Sequence, residues 1–247
     1  MITYIILGIA QGLTEFLPVS SSAHLVILQK LMGFSGEGIA LIALLHLGTV
    51  LSLIVFFFSD LIELCYKPKQ IAYILLVTAI TSFIGLLGKD FFESLFSSVK
   101  LAALALIITG IILFLASKFI YGRRNNIRAK DCLVLGITQA IAIIPGISRS
   151  GITLSTLLFR GIEKQEAFRF SFLVAIPVIF GANLLEAKNI GLALKADFTY
   201  ILAGVIFSFL SGIFALVILK KVLQKAKLHY FGVYCIVIAV LTLIFVK

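Results

Sequence analysis

Two charged side chains stand where charge is expensive. Glu15 lies in Glu15-Phe16-Leu17-Pro18-Val19-Ser20-Ser21-Ser22-Ala23-His24, and Arg149 lies in Ile144-Pro145-Gly146-Ile147-Ser148-Arg149-Ser150-Gly151. Each stretch interrupts an otherwise apolar segment, and ionisable groups at membrane depth usually mark a functional cavity. Opposite charges in two such breaks suggest one polar cavity between them. The plainer alternative is an ion pair that only fixes packing. The hydroxyls crowded around both charges exceed what one ion pair requires. Ser20, Ser21 and Ser22 follow Pro18, while Ser148, Ser150 and Thr153 surround Arg149. A serine run by itself reads as helix capping or helix–helix hydrogen bonding. With an arginine fork and the free N–H groups of a helix N-terminus beside it, the same run is well suited to phosphate oxygens.

Three further side chains extend this chemistry. His24 lies one helical turn beyond Ser20 and Ser21, where it can act as general base, acid or nucleophile, or remain a hydrogen-bonded buried histidine. Gln11 and Glu15 are spaced i, i+4 and share a helix face. A carboxylate with an amide one turn away can hold a divalent cation by oxygen ligands if substrate phosphates complete the shell. His46, in Ala43-Leu44-Leu45-His46-Leu47-Gly48-Thr49, reads equally as a cavity-lining or a packing residue. His229, beside Lys225 and Lys227, reads as a solvated or headgroup residue.

The elements that must position these groups are membrane helices. Of 247 residues, 61% are hydrophobic and only 13% charged, with a mean hydropathy of +1.17. A soluble domain carries roughly a quarter charged residues. Soluble enzyme folds, nucleic-acid-binding modules and disordered regulators are thereby excluded. Six stretches, near 39–58, 71–88, 100–121, 167–187, 198–221 and 229–246, have the length and apolarity of bilayer spans. Two more, 2–30 and 131–160, are apolar at both ends and broken by Pro18 and Pro145, which predicts two short helices with a turn between them in each. Pro68 falls in an expected loop, and Pro177 falls inside a span as an expected kink. Cys65, Cys132 and Cys235 are far apart and form neither a disulfide framework nor a zinc pattern. The N-terminus lacks the basic stretch of a cleavable signal peptide.

The two broken regions echo each other. Gly8-Ile9-Ala10-Gln11 matches Gly136-Ile137-Thr138-Gln139, and Pro18 with its serines matches Pro145 with Ser148 and Ser150. Each half then consists of one re-entrant hairpin and three spans. Three is an odd number, so the second half must lie inverted relative to the first. The expected fold is an all-α polytopic membrane protein, with six transmembrane helices and two re-entrant hairpins in an inverted repeat (1–121 and 131–247). Charge orients it. The formal net charge is +10, and 14 of the 21 Lys and Arg fall on the side opposite the N-terminus. Lys30, Lys89, Lys100, Lys188, Lys195 and Lys247 fall on the N-terminal side, and Arg149 sits in a break. The basic side is the cytoplasmic one by the positive-inside rule, so both termini are expected outside.

Gln11-Gly12-Leu13-Thr14-Glu15-Phe16-Leu17-Pro18-Val19-Ser20-Ser21-Ser22-Ala23-His24 resembles the first signature of the undecaprenyl-pyrophosphate phosphatase family, also known for bacitracin resistance. Pro145-Gly146-Ile147-Ser148-Arg149-Ser150-Gly151-Ile152-Thr153 is similar to its second, and Phe170-Ser171-Phe172-Leu173-Val174-Ala175-Ile176-Pro177 also looks like that family. The resemblance covers essentially the whole chain. It implies a multi-pass plasma-membrane hydrolase that converts undecaprenyl (polyprenyl) diphosphate to the monophosphate plus inorganic phosphate. That reaction recycles the carrier lipid for cell-wall synthesis. By motif, Glu15, Ser21, His24 and Arg149 would be catalytic. Ser20, Ser22, Ser148, Ser150 and Thr153 would bind the diphosphate, and Glu15 with Gln11 would hold Mg²⁺ or Ca²⁺. Many members have Glu where Gln11 stands, which keeps an oxygen ligand and removes a charge. The resemblance leaves the attacking group open between Ser21, His24 and an activated water. The implied partners are the lipid substrate, membrane lipids and at most a second copy in a homo-oligomer, with no nucleic acid.

Two other classes compete with this reading. A transporter or flippase of polyprenyl phosphate suits the inverted repeat, and a structural membrane protein suits a buried ion pair. Type-2 phosphatidic-acid phosphatase chemistry lacks support, because Ser148-Arg149 is followed by no histidine before His229. The charge bias makes a prediction. A reporter fused after Lys247 reads as extracytoplasmic, and a clear cytoplasmic signal there would refute the topology.

Overall fold

The computed structural model describes residues 1–31, 38–96, 98–185 and 187–246, without side chains at 32–40, 42, 93, 97, 186–197 and 247. The expected positions of Lys188, Lys195 and Lys247 therefore lie outside the described side chains. Both proline breaks interrupt helices, as the local sequence dictates. Helix α1 (Ile2–Phe16) ends at Leu17, which is extended with ψ 139°. The residue before a proline is driven out of the helical region by the proline ring. The chain resumes as α2 (Ser21–Leu31) after Ser20, whose φ of 66° makes the turn, and Ser20 Oγ accepts the Ala23 N–H.

The second break repeats this construction. Helix α8 (Ala129–Ile141) is separated from α9 (Arg149–Phe159) by residues 142–148, which turn at Gly146 with φ 99°. Ser148 caps α9 by accepting the Gly151 N–H at 3.1 Å. The two caps stand 128 residues apart, and so do their hydroxyl pairs. Ser20 Oγ lies 3.1 Å from Ser22 Oγ, and Ser148 Oγ lies 3.2 Å from Ser150 Oγ.

The remaining helices are α3 (Gly38–Phe56), α4 (Phe58–Cys65), α5 (Pro68–Leu87), α6 (Lys89–Leu95), α7 (Val99–Ser117), α10 (Lys164–Leu185), α11 (Ala187–Gln224) and α12 (His229–Phe245). Among the described residues, four segments are long and apolar enough to cross a membrane: α5, α7, α10 and Phe198–Gln224 of α11. A fifth is possible if α3 and α4 count together, though they meet at 70°. The expected span 39–58 is thus not straight to its end. It breaks at Phe57, where Asp60 and Glu63 turn aside to pair with Arg169. Helix α12 has 17 residues and is shorter than the other spans. Pro68 is not in a loop. It opens α5 at the first helical position, where its missing N–H costs nothing. Helix α10 runs through Pro177.

Packing pairs the halves in a reciprocal pattern. Helix α1 packs on α11, and its counterpart α8 packs on α5. Likewise α3 packs on α11 and α10 on α5, while α7 meets α12 and α3 meets α10. Small residues permit the closest approach. A Cβ on Gly8 would lie 2.2 Å from the Gly204 carbonyl oxygen, and one on Gly12 would lie 2.0 Å from Ser211 Oγ. Close backbone contact of this kind supplies the dispersion energy that replaces hydrophobic drive between helices in lipid. Around the foot of α1, Phe16, Phe57, Phe168 and Phe172 form an aromatic cluster of edge-on, tilted and stacked pairs.

The base of the second hairpin is locked by ions. The fully buried Asp131 carboxylate accepts Arg124 Nη1 at 2.6 Å, Arg160 Nε at 2.8 Å and the Arg128 N–H at 3.0 Å. Arg124 belongs to the α7–α8 connection and Arg160 follows α9. One carboxylate therefore ties both ends of the hairpin to the segment before it. At the other end, Thr109 of α7 donates to the Gly146 carbonyl at 2.8 Å and accepts the Ser148 N–H at 3.0 Å. A Cβ at Gly146 would sit 2.1 Å from the Ala102 carbonyl oxygen, at a φ that L-residues avoid. We expect Gly146→Ala to destabilise the protein by at least about 2 kcal/mol. A midpoint of thermal unfolding in detergent unchanged from wild type would refute this account of the tip.

Candidate functional site

The tips of the two hairpins meet. Ser150 Oγ donates to the Leu17 carbonyl at 3.2 Å, and the Gly146 N–H reaches Ser22 Oγ at 3.4 Å. These crossed bonds bring the C-terminal turn of α1 against the N-terminal turn of α9. They place Glu15 and Arg149 in contact, with Arg149 Nη2 donating to Glu15 Oε1 at 2.6 Å.

The other carboxylate oxygen is equally occupied. Ser21 Oγ donates to Glu15 Oε2 at 2.6 Å, and Gln11 Nε2 donates to it at 2.9 Å. His46 Nε2 lies 3.3 Å from the same oxygen. Five side chains from four helices thus converge on one point: Gln11 and Glu15 of α1, Ser21 of α2, His46 of α3 and Arg149 of α9. Glu15 and Gln11 are buried, and Ser21, His46 and Arg149 are partly accessible. Such burial of a carboxylate demands compensation, and the cation and donors around it supply that.

Two polar atoms at this point have no partner. Arg149 Nη1 and Gln11 Oε1 are both buried without a hydrogen bond. Native structures leave few such atoms, and each calls for an explanation such as a water, an ion or a ligand group. The first is a cationic donor and the second an oxygen acceptor. A phosphate oxygen suits the guanidinium N–H, and a cation suits the amide oxygen.

His24 is held differently from Ser21. Its Nδ1 lies 2.8 Å from the Ser20 carbonyl oxygen, and its Nε2 lies 2.8 Å from the Tyr234 hydroxyl. A carbonyl only accepts, so Nδ1 carries the proton, and in the neutral ring Nε2 accepts from Tyr234. The two rings stack at 5.6 Å with an interplanar angle of 6°. The hydroxyl partner of Ser21 is therefore Glu15 and not His24.

The remaining hydroxyls mostly serve the hairpins. Ser20 and Ser148 cap α2 and α9, while Ser22 and Ser150 bridge the tips. Thr153 turns away from Arg149's side chain. Its hydroxyl donates to the Arg149 carbonyl at 2.8 Å and lies 2.6 Å from Ser171 Oγ of α10. A threonine four residues along a helix reaches back to the i−4 carbonyl, which the spacing alone does not reveal.

The site also contains residues that the motifs do not single out. The sequence admits His46 equally as a cavity-lining or a packing residue, and its position in an apolar span is the one sequence signal for it. Tyr234 comes from α12, 210 residues from its partner His24. Nothing local in the sequence distinguishes it from six other tyrosines. Among the described residues, no three His, Cys, Asp or Glu side chains converge as a metal-binding group. Any cation here would rest on Glu15, the Gln11 amide and its ligand's own oxygens.

Comparison with known proteins gives a single answer. The family described as bacitracin resistance protein BacA matches residues 4–241. The undecaprenyl-diphosphatase of Halothermothrix orenii is 42% identical over 248 residues, covering 97% of this chain and 96% of its own. The undecaprenyl-diphosphatase of Carboxydothermus hydrogenoformans is 41% identical over 249 residues, covering 97% and 95%. That of Methanococcus maripaludis is 39% identical over 251 residues, covering 98% of each chain.

Proposed function

We propose that this chain, which belongs to the family of the bacitracin resistance protein BacA, is an integral membrane undecaprenyl-diphosphatase. It hydrolyses a polyprenyl diphosphate to the monophosphate and inorganic phosphate, returning the carrier lipid to cell-wall synthesis and so giving bacitracin resistance. The observation that carries the mechanism is the Ser21–Glu15 hydrogen bond at 2.6 Å beside the unpartnered Arg149 Nη1. A hydroxyl on a positioned base, next to a free cationic donor, is the arrangement that phosphoryl transfer requires.

Ser21 Oγ attacks the terminal phosphorus, and its proton passes to Glu15. The bond from that phosphorus to the bridging oxygen breaks, and the polyprenyl monophosphate departs. Water then hydrolyses the serine phosphoester and releases inorganic phosphate. Arg149 holds the phosphoryl oxygens through Nη1 while Nη2 remains on Glu15. As the fork is drawn toward phosphate, Glu15 is relieved of part of its cation and becomes a better base. His46 and Gln11 keep the carboxylate oriented. In the second step the attacking water passes its proton to His24 Nε2 by way of the Tyr234 hydroxyl bonded to it, the ring's tautomer being fixed by the Ser20 carbonyl. The first turns of α2 and α9, capped by Ser20 and Ser148, add backbone donors for a diphosphate.

The buried, unpartnered Gln11 Oε1 fits an oxygen ligand to Mg²⁺ or Ca²⁺, with Glu15 and substrate oxygens completing the shell. A cation so held would neutralise diphosphate charge. The architecture that serves this site is six spans and two re-entrant hairpins in an inverted repeat, 1–121 and 131–247, with both termini extracytoplasmic. The reciprocal helix packing and the caps 128 residues apart support it.

Purified protein is expected to release phosphate from undecaprenyl and shorter polyprenyl diphosphates, with EDTA lowering the rate. Glu15→Ala and Arg149→Ala each lower turnover by at least about 10²-fold while the protein stays folded. A transporter would release no phosphate, and near-normal turnover in either variant would refute these assignments. The nucleophile is tested separately. Rapid quench with substrate traps a phosphorylated Ser21 peptide by mass spectrometry, and Ser21→Ala abolishes it. Retention of at least a tenth of turnover in Ser21→Ala would assign the attack to water instead.

A further inference from the structure

A second feature lies about 15 Å along α3 from His46, at 1.5 Å per helical residue. Where α3 bends into α4, a cavity of about 450 Å³ opens between α3, α4, the start of α10 and the end of α11. Its floor is aromatic, formed by Phe56, Phe57 and Phe168, and Lys164 and Lys220 stand in its wall. This volume is within the range of small-ligand sites, roughly 300–1,000 Å³. The residues belong to none of the groups around Glu15.

The charges in this region divide into two sets. Asp60, Glu63 and Glu166 all turn to Arg169, and Glu63 also pairs with Lys67. The acids here are consumed by that network. Lys164 and Lys220 have no carboxylate partner among the described residues. Lys164 Nζ donates to the Gln224 carbonyl at 2.9 Å, and Lys220 Nζ lies 5.9 Å from the centre of the Phe56 ring. Both ammonium groups, beside an aromatic floor, thus keep N–H donors that no carboxylate takes and that an anion can accept. Gln165 and Gln224 on the rim add amides suited to hydroxyls.

The depth of the cavity identifies the ligand class. It lies on the side that carries most of the Lys and Arg, where α3 and α11 end and α10 begins. Helix α4 turns away from α3 at 70° and exposes Phe58 and Ile62, with Tyr66 just beyond. Outward aromatic and apolar groups on a helix so angled mark the headgroup layer. Basic pockets between transmembrane helices at that level bind phosphate headgroups.

We propose that this cavity seats the headgroup of an anionic phospholipid of the cytoplasmic leaflet. Lys164 and Lys220 hold its phosphate oxygens, and Gln165 and Gln224 meet the hydroxyls of a glycerol headgroup. The acyl chains lie along the apolar faces of α10 and α11. This site is separate from the hydrolytic centre, so its failure leaves the hydrolase reading standing.

The test uses the full-length protein, delipidated in detergent and titrated with phosphatidylglycerol, phosphatidylcholine or inorganic phosphate. Bound lipid is counted by native mass spectrometry, and the thermal midpoint is followed in parallel. Wild type is expected to retain one phosphatidylglycerol and to gain several degrees, with phosphatidylcholine and inorganic phosphate giving neither. Lys164→Gln with Lys220→Gln weakens phosphatidylglycerol binding roughly thirty-fold, the effect of two lysines near a headgroup. Its midpoint in phosphatidylcholine matches wild type, which shows that it folds. Lys221→Gln with Lys225→Gln removes the same charge outside the cavity and retains binding. Equal weakening by both pairs, or no preference over phosphatidylcholine, would overturn the proposal. So would the same stabilisation by inorganic phosphate alone, which would make this a soluble-anion site.

Discussion

A carboxylate among apolar helices is tolerable only when its charge is met, and much of this structure is organised around meeting the charge of Glu15. Its two oxygens take an arginine, a serine hydroxyl, an amide and an imidazole. Those partners come from four helices, α1, α2 and α3 in succession and α9 more than a hundred residues from Glu15. Gln11 reaches the carboxylate along α1 itself, but Ser21 and Arg149 could not converge on it if α1 continued past Phe16 or if α8 ran unbroken into α9. The ion pair therefore requires both breaks, and the breaks in turn require their own exposed backbone groups to be satisfied. In a membrane interior each unmet peptide group costs several kcal/mol. The tips meet that demand with one another and with the flanking helices. Ser150 takes the Leu17 carbonyl, Thr109 takes the Gly146 carbonyl, and Cys235 Sγ lies 3.6 Å from the Pro18 carbonyl.

That last pair of contacts is instructive. Pro18 and Gly146 each stand two residues before a capping serine, Ser20 and Ser148, at the tips of the two hairpins. Each has its carbonyl met by a side chain of the α7 and α12 pair, helices that themselves pack together. The two halves solve the same local problem with related geometry and different chemistry, a hydroxyl in one and a thiol in the other. The difference is greatest at Glu15 and Arg149, where the two breaks meet. One break contributes a carboxylate and the other a guanidinium, so two breaks of similar build yield an asymmetric site.

Much of this was legible in the sequence, for physical reasons. Proline and glycine in an apolar run mark a break wherever they occur, and Pro18 and Pro145 did so. Charge at membrane depth is rare enough that Glu15 and Arg149 stood out without any structural information. Spacing placed Gln11 on the face of Glu15, and the two do bond. Spacing failed where the direction of a side chain decides the outcome. Thr153 lies one turn from Arg149, yet its hydroxyl bends back to its own helix and to Ser171. His24 lies one turn from the serines, yet its ring faces a carbonyl and Tyr234. The bend at Phe57 left no proline or glycine to read. It follows from Asp60 and Glu63 reaching Arg169, a contact more than a hundred residues away in sequence.

The same logic distinguishes the site from an ordinary buried ion pair. A pair that served packing alone would be closed, with every donor and acceptor spent, because leftover polar atoms only add cost. The cluster at Asp131 is of that kind, with both carboxylate oxygens met by guanidinium groups and a backbone amide on the hairpin's base. The cluster at Glu15 is different. Its carboxylate is fully engaged, while Arg149 keeps Nη1 and Gln11 keeps its oxygen with nothing to bond. One end of the hairpin is thus built to stay shut and the other to accept something more. The unmet atoms are a donor for anionic oxygen and an acceptor for a cation, and a metal-bound diphosphate presents both. The incompleteness of the site, more than the presence of its charges, is the physical argument for phosphate chemistry.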